Sequence, residues 1–152
     1  MPAASEGGAP ALPVTYRPLG PRIVGIGLGV GLLVVFAAAW ISFGPDVRAR
    51  FTLFQRSTLV FLGALGFGSI FALVRSRVVA ERGRLVVVNG FRRRELAWEQ
   101  VVSVRMPPGA PWATLDLTDG TTIAAMGIQG SDGARAQRAV RQLRSLVDDP
   151  AR

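Results

Sequence analysis

The chain of 152 residues contains no histidine and no cysteine. That absence removes Ser-His and Cys-His nucleophile pairs, disulfides, and the usual ligand sets for zinc and haem. What remains for proton transfer among the predicted strands is Glu81, Glu95, Glu99, Asp116 and Asp119. Their spacing offers no pair suited to acid–base work, and Asp119 beside Gly120 is explained by a turn. Glycines alternate from Gly25 to Gly31, yet no strand precedes them and no phosphate-binding lysine follows, so they do not make a nucleotide loop. The expectation is a protein that is not an enzyme, with no catalytic residue, no metal and no cofactor.

Charge is the chemistry this sequence does supply. Its 18 basic residues are all arginine and outnumber 10 acids, for a net charge of +8. Such an excess favours a polyanionic neighbour, either nucleic acid or an anionic lipid surface. Neither a recognition helix nor an aromatic-studded sheet is legible, so no nucleic acid is expected and lipid is the nearer candidate. Arg75, Arg77, Arg82, Arg84, Arg92, Arg93 and Arg94 form the densest group. Near an anionic leaflet each contributes on the order of 1 kcal/mol, within a Debye length. A group of this kind either holds a domain on lipid head groups or an acidic partner, or serves as the basic flank that fixes the topology of a membrane span. A second set, Arg135, Arg138, Arg141 and Arg144, recurs at three-residue steps and faces solvent or a partner.

The elements that position these arginines begin with two apolar runs. Residues 23–43 carry no charge and as a helix reach about 31 Å; residues 57–74 reach about 27 Å, against a hydrocarbon layer of roughly 30 Å. Gly44-Pro45-Asp46 ends the first run, and Trp40 and Phe43 sit at its edge as interfacial aromatics do. Ala37-Ala38-Ala39 behind Arg17 and Arg22 also fits a cleaved signal peptide, but the second apolar run favours a transmembrane hairpin. Six arginines flank the outer ends of the hairpin (Arg17, Arg22, Arg75, Arg77, Arg82, Arg84) and three lie between the runs (Arg48, Arg50, Arg56). The positive-inside rule then predicts a multi-pass protein of the inner (plasma) membrane with both termini cytoplasmic. Gly25 and Gly29 in the first run, and Ala64, Gly68 and Ala72 in the second, form small-residue stripes that pack helices within one chain or between copies. Residues 1–15, small and rich in Pro and Gly, read as a disordered tail ahead of a hairpin unit at 16–76.

Beyond Arg75 the period shortens. Strands are predicted over 78–81, 85–88, 92–96, 101–106, 113–117 and 121–125. Asn89-Gly90 and Asp119-Gly120 predict two-residue hairpin turns, and Trp98 and Trp112 are expected in the core beside strand corners. Gly130-Ser131-Asp132-Gly133 is expected to cap a final helix to about 147. Ala136, Ala139, Val140, Leu143, Leu146 and Val147 share the apolar face of that helix. The predicted fold is a membrane α-helical hairpin followed by an α+β domain at 77–149: an antiparallel β-meander or barrel of about six to seven strands, closed by an amphipathic helix.

The order of Leu85-Val86-Val87-Val88-Asn89-Gly90, Leu96-Ala97-Trp98-Glu99-Gln100-Val101, and Trp112 followed by Leu115-Asp116-Leu117-Thr118-Asp119-Gly120 resembles the bacterial PH-domain membrane proteins of actinobacteria, of the low molecular weight protein antigen 6 type. The all-arginine, Ala/Gly-rich composition suits a GC-rich bacterial genome. The resemblance implies a PH-like barrel of two packed sheets with a helix at one end, and no catalytic residues. Lipid-binding eukaryotic PH domains gather basic residues around a long loop between their first two strands; here that connection reads as Arg82-Gly83-Arg84. The functional expectation is a membrane-anchored PH-like binding or scaffold module that presents a basic surface to anionic phospholipids or to another membrane or envelope protein. The alternative is a small accessory subunit, or a homo-oligomer, assembled through the glycine-rich helices.

Overall fold

The computed structural model describes residues 11–149; the tail predicted over residues 1–15 lies outside these up to residue 10. The chain divides into two compact units, Pro21–Val74 and the remainder.

The first unit is helical. Helix α1 spans Gly20–Ser42, a short α2 spans Pro45–Arg50, and α3 spans Leu53–Arg75. A reciprocal cap starts α3: the Gln55 amide oxygen accepts from the Thr52 backbone N–H at 3.0 Å, and the Thr52 hydroxyl accepts from the Gln55 N–H at 3.3 Å. Both long helices are apolar enough to cross a membrane. Gly29 is the only buried residue of α1, and α3 has none. At the turn, Phe51 packs on Trp40 and Phe43 with ring centroids 5.7 and 6.1 Å apart, and the Arg56 guanidinium lies 6.0 Å from the Trp40 ring centre.

The second unit is a sandwich of two open sheets. Strands β1 (Val14–Tyr16), β2 (Arg77–Ala80), β3 (Leu85–Asn89) and β4 (Arg92–Leu96) form one sheet in that order; β5 (Val101–Arg105), β6 (Trp112–Leu117) and β7 (Thr122–Gln129) form the other. All pairings are antiparallel. Helix α4 (Ala134–Asp148) buries Ala136, Ala139, Val140, Leu143 and Leu146 against the core, which its apolar stripe dictates. Alternation along β6 places Ala113, Leu115 and Leu117 inside.

Three expectations need correction. The sheets do not close into a barrel: the one-turn helix Trp98–Gln100 separates β4 from β5, and no ladder joins the two sheets. The first strand is Val14–Tyr16, expected in the tail and the hairpin unit, where its Thr15 pairs with Val79 and its Tyr16 with Val78. A three-residue strand has too little alternation to be seen locally; it exists because β2 offers it a ladder. Arg82-Gly83-Arg84 therefore joins β2 to β3, and the connection between the first two strands is residues 17–76, which carries both apolar helices. Finally, Gly133 of the expected capping stretch does stand at the N-cap of α4, but no side chain of the stretch caps the helix. The Asp132 carboxylate instead accepts from the N–H groups of Leu19 (2.9 Å) and Gly20 (2.8 Å).

The turns also differ. Asn89 is the last residue of β3, paired with Arg92, so the two-residue loop is Gly90-Phe91. Gly90 has φ +59° and Phe91 does not share it, as in turns with glycine at the first central position. Thr118-Asp119-Gly120 forms a three-residue loop with Gly120 at φ +81° and its N–H donating to the Leu117 carbonyl at 3.0 Å. Trp98 is buried and donates its indole N–H to the Glu81 carbonyl at 2.9 Å. Trp112 is half-buried at an irregularity between β6 and β7.

Candidate functional site

Strand geometry divides the arginine cluster. Successive side chains on β4 point to opposite faces, so Arg93 and Glu95 share one face and Arg92 and Arg94 the other. On the first face the acids are engaged. Glu95 accepts from Arg93 at 2.6 Å and from Arg84 at 2.7 Å, and Arg84 also meets Glu81 at 2.6 Å. The hydrogen bond and charge of Glu81, followed by the charge of Glu95, raise the pKa of the Arg84 guanidinium further. These exposed pairs order side chains and contribute little stability. Arg77 stands on this face too, since Arg77 and Arg93 both lie opposite Val88.

On the other face, Arg92 and Arg94 line a concavity of about 160 Å³ with Val87, Asn89, Thr122, Ile123 and Ala124. It lies where β3 and β4 meet β7 at the open edge between the sheets. Asn89 builds this corner. Its amide donates to the Ala124 carbonyl at 2.6 Å and accepts from the Met126 N–H at 3.0 Å, so a side chain supplies the pairing a strand backbone would make. Farther along β7, Gly127 passes so near β2 that a Cβ there would stand 2.5 Å from the Val78 nitrogen. Among the described residues, Arg92 and Arg94 form no salt bridge. Asp119, in the neighbouring loop, is held below the usual carboxylate range chiefly by hydrogen bonds from Thr121, with Arg94 adding to this electrostatically.

The expected seven-arginine surface is thus not one patch. Arg84 and Arg93 are ion-paired, Arg92 and Arg94 open onto the concavity, Arg82 is exposed in the β2–β3 turn, Arg77 is on the opposite face, and Arg75 ends α3. Of the C-terminal arginines, Arg144 donates to the Val104 carbonyl at 2.7 Å. No group of His, Cys, Asp or Glu suited to a metal occurs among the described residues. Asp116, which had no assigned partner in the sequence, accepts from Arg105 through both carboxylate oxygens at 2.6 Å and from Ser103 at 2.5 Å. Arg105 first, then Ser103, lower its pKa to about 2. This cluster joins β5 to β6 and leaves no free base.

Within the helical unit, the structure brings Gly25 and Gly29 against α3. A Cβ at Gly25 would stand 3.0 Å from Val74 and 3.2 Å from Ile70; at Gly29 it would stand 3.4 Å from Phe67. Gly68 is not part of that contact, since a Cβ there meets nothing within 4 Å. Ala64 is exposed and Ala72 half-buried.

An open two-sheet antiparallel sandwich with one C-terminal helix defines a PH-like domain. Residues 75–146 match the family model described as "Bacterial PH domain". The match begins after β1, so it leaves out the strand that completes the first sheet. Uncharacterized protein Rv1417 of Mycobacterium tuberculosis and uncharacterized protein Mb1452 of Mycobacterium bovis are each similar to this chain, with 36% identity over 98 residues, 62% of this chain and 64% of theirs. The chain thus matches somewhat under two thirds of the length of these relatives. No solved structure matches it. The molecule joins two apolar helices to a PH-like domain, an arrangement that fits a membrane-associated module.

Proposed function

We propose that the protein is a membrane-anchored binding module, without enzymatic activity, whose PH domain offers Arg92 and Arg94 to the phosphates of anionic lipid on the cytoplasmic face of the inner membrane. One observation carries this reading: these two arginines share an open concavity without a salt bridge among the described residues, whereas Arg84 and Arg93 are already engaged by Glu81 and Glu95. Guanidinium forks match phosphate oxygens, and exposed cations beside a bilayer are attracted to anionic lipid. The arginine flanks of α1 and α3 support cytoplasmic termini.

Hydrogen–deuterium exchange of the full chain tests the surface, comparing nanodiscs of phosphatidylcholine alone with nanodiscs also containing phosphatidylglycerol. Slower exchange over residues 89–94 in the anionic discs, lost in R92E/R94E, is the expected result. Equal exchange in both would turn the search to an envelope-associated protein partner. Reporter fusions after Val74 and at the C-terminus check the orientation, with cytoplasmic signals expected from both.

A second reading, an accessory subunit or homo-oligomer joined through the helices, is favoured by Gly27, Gly31 and Gly68, where an added Cβ meets nothing within 4 Å. Small-residue surfaces of this kind admit a close helical neighbour. Crosslinking from Gly31 or Gly68 to one discrete neighbour would support it.

A further inference from the structure

A second cleft opens between β1, the end of β7 and α4. It encloses about 290 Å³, and among the residues lining it are Tyr16, Arg17, Asp132, Arg135, Arg138 and Gln142. Three arginines from two distant stretches of chain share this space, and none of them forms a salt bridge among the described residues. The single carboxylate present, Asp132, is committed to the N–H groups of Leu19 and Gly20 through both oxygens. Tyr16 is the only tyrosine and is 8% exposed. Its hydroxyl is the one buried side-chain polar atom without a hydrogen-bond partner among the described residues. A buried polar atom left unpaired is costly, and this one belongs to a residue that packs in the core and also borders the cleft.

We propose that this cleft binds a phosphate group, with Arg17, Arg135 and Arg138 donating to its oxygens. Three guanidinium groups exceed what the two oxygens of a carboxylate can accept in forked geometry, whereas a phosphate presents enough acceptors for all three. The arginines gathered here also lose their mutual repulsion when the anion arrives, which favours a multiply charged ligand over none. The phosphate belongs either to the head group of an anionic phospholipid or to a small soluble phosphorylated compound. Arg17 precedes the first residue of α1, Gly20, by three positions, so a head group is within reach on any membrane that α1 enters. This site is separate from the Arg92/Arg94 concavity and does not rest on it.

The lone tyrosine provides the readout, as the ring-carbon NMR signal of Tyr16 in the full chain held in phosphatidylcholine nanodiscs. Two probes are applied, inorganic phosphate added to those discs and replacement of part of the lipid by phosphatidylglycerol. A saturable shift with phosphate identifies a soluble phosphoryl ligand, and a shift with phosphatidylglycerol alone identifies a head group; either supports the proposal. R135Q/R138Q should weaken the response by at least about tenfold, the scale of lost charge-assisted hydrogen bonds. R141Q, at an exposed position outside the cleft, and R92E/R94E should leave it within about twofold, as expected for distant independent sites. No shift with either probe overturns the site, as does an equal loss in R141Q, which would reduce the effect to general charge.

Discussion

Leu85, Leu115 and Leu143 of the PH domain are fully shut away from solvent, while Ile23, Val24 and Phe36 of α1 and Val60 and Phe61 of α3 are each 60% or more exposed. The same residue types thus meet opposite surroundings in the two units. In the domain, apolar side chains cover one another and the arginines stay outside. In the helices they are largely exposed, and such a surface calls for apolar surroundings, whether lipid or another protein. Glycine follows the same division. Gly127 sits where two backbones touch, Gly25 where two helices touch, and Gly27 where a Cβ meets nothing within 4 Å.

The largest effect expected from this contrast is at Gly127. In G127A the new Cβ would meet Val78 N at 2.5 Å and Arg77 Cα at 2.6 Å, both backbone atoms that cannot turn aside. A loss of about 3 kcal/mol or more follows, since overpacking of this kind forces the chain to move. Amide exchange should show the PH domain deprotected while α1 and α3 keep their protection. Undiminished protection in the domain would mean that β7 and β2 do not cross this closely.

Asn89 comes next. N89A leaves the Ala124 carbonyl and the Met126 N–H without the partners they now have, in a part-buried position. The expected cost is about 2 kcal/mol, the scale of unsatisfied buried groups, read from the thermal midpoint of the domain. N89D should be no better, because the carboxylate cannot donate to the Ala124 carbonyl. A full rescue by Asp would show that only the bond to Met126 counts.

Acid exposes the Asp116 cluster. The Asp116 pKa is lowered to about 2 in the fold, against about 3.9 in an unfolded chain. The folded value is the lower one, so the contribution is fully present above about pH 4 and is lost as pH falls from there through about 2. A plot of domain stability against pH should decline in that window, and D116N should flatten it. An unchanged slope in D116N would place the acid sensitivity at other carboxylates.

What the sequence made legible divides along the same line as these effects. The apolar runs and the amphipathic α4 were plain because their periods are local, and five of the six predicted strands lie close to their observed bounds. β7 instead runs on to Gln129 because Gly127 allows it to pass β2. β1 has no local signal because its ladder partner lies beyond both helices. Asn89 reads as a turn residue because Asn-Gly is a local signal, while its bonds to β7 depend on how two sheets meet. Strand alternation alone separates Arg92 and Arg94 from Arg93. That Arg84 and Arg93 are the engaged pair depends on the register that sets Glu95 beside Val86, two residues along β3 from Val88 and Arg93. The cleft containing Arg17, Arg135 and Arg138 has no local signature at all, since its two sides are joined only by the fold.

The smallest expected effect is at Gly27, and it separates the lone hairpin from an assembly. If lipid alone covers that face, G27A replaces a poor helix former with the best one and should stabilise the helical unit by less than about 1 kcal/mol. Cysteine crosslinking along α1 should then stay diffuse and unchanged. If a second copy or another membrane protein packs there, the added methyl pushes helices apart that small residues had let come close. A discrete crosslinked species would then be present before the substitution and weakened after it. Gly25 is the internal control: G25A crowds Val74 and Ile70 of the same chain, so it should disturb the hairpin whether or not a neighbour exists.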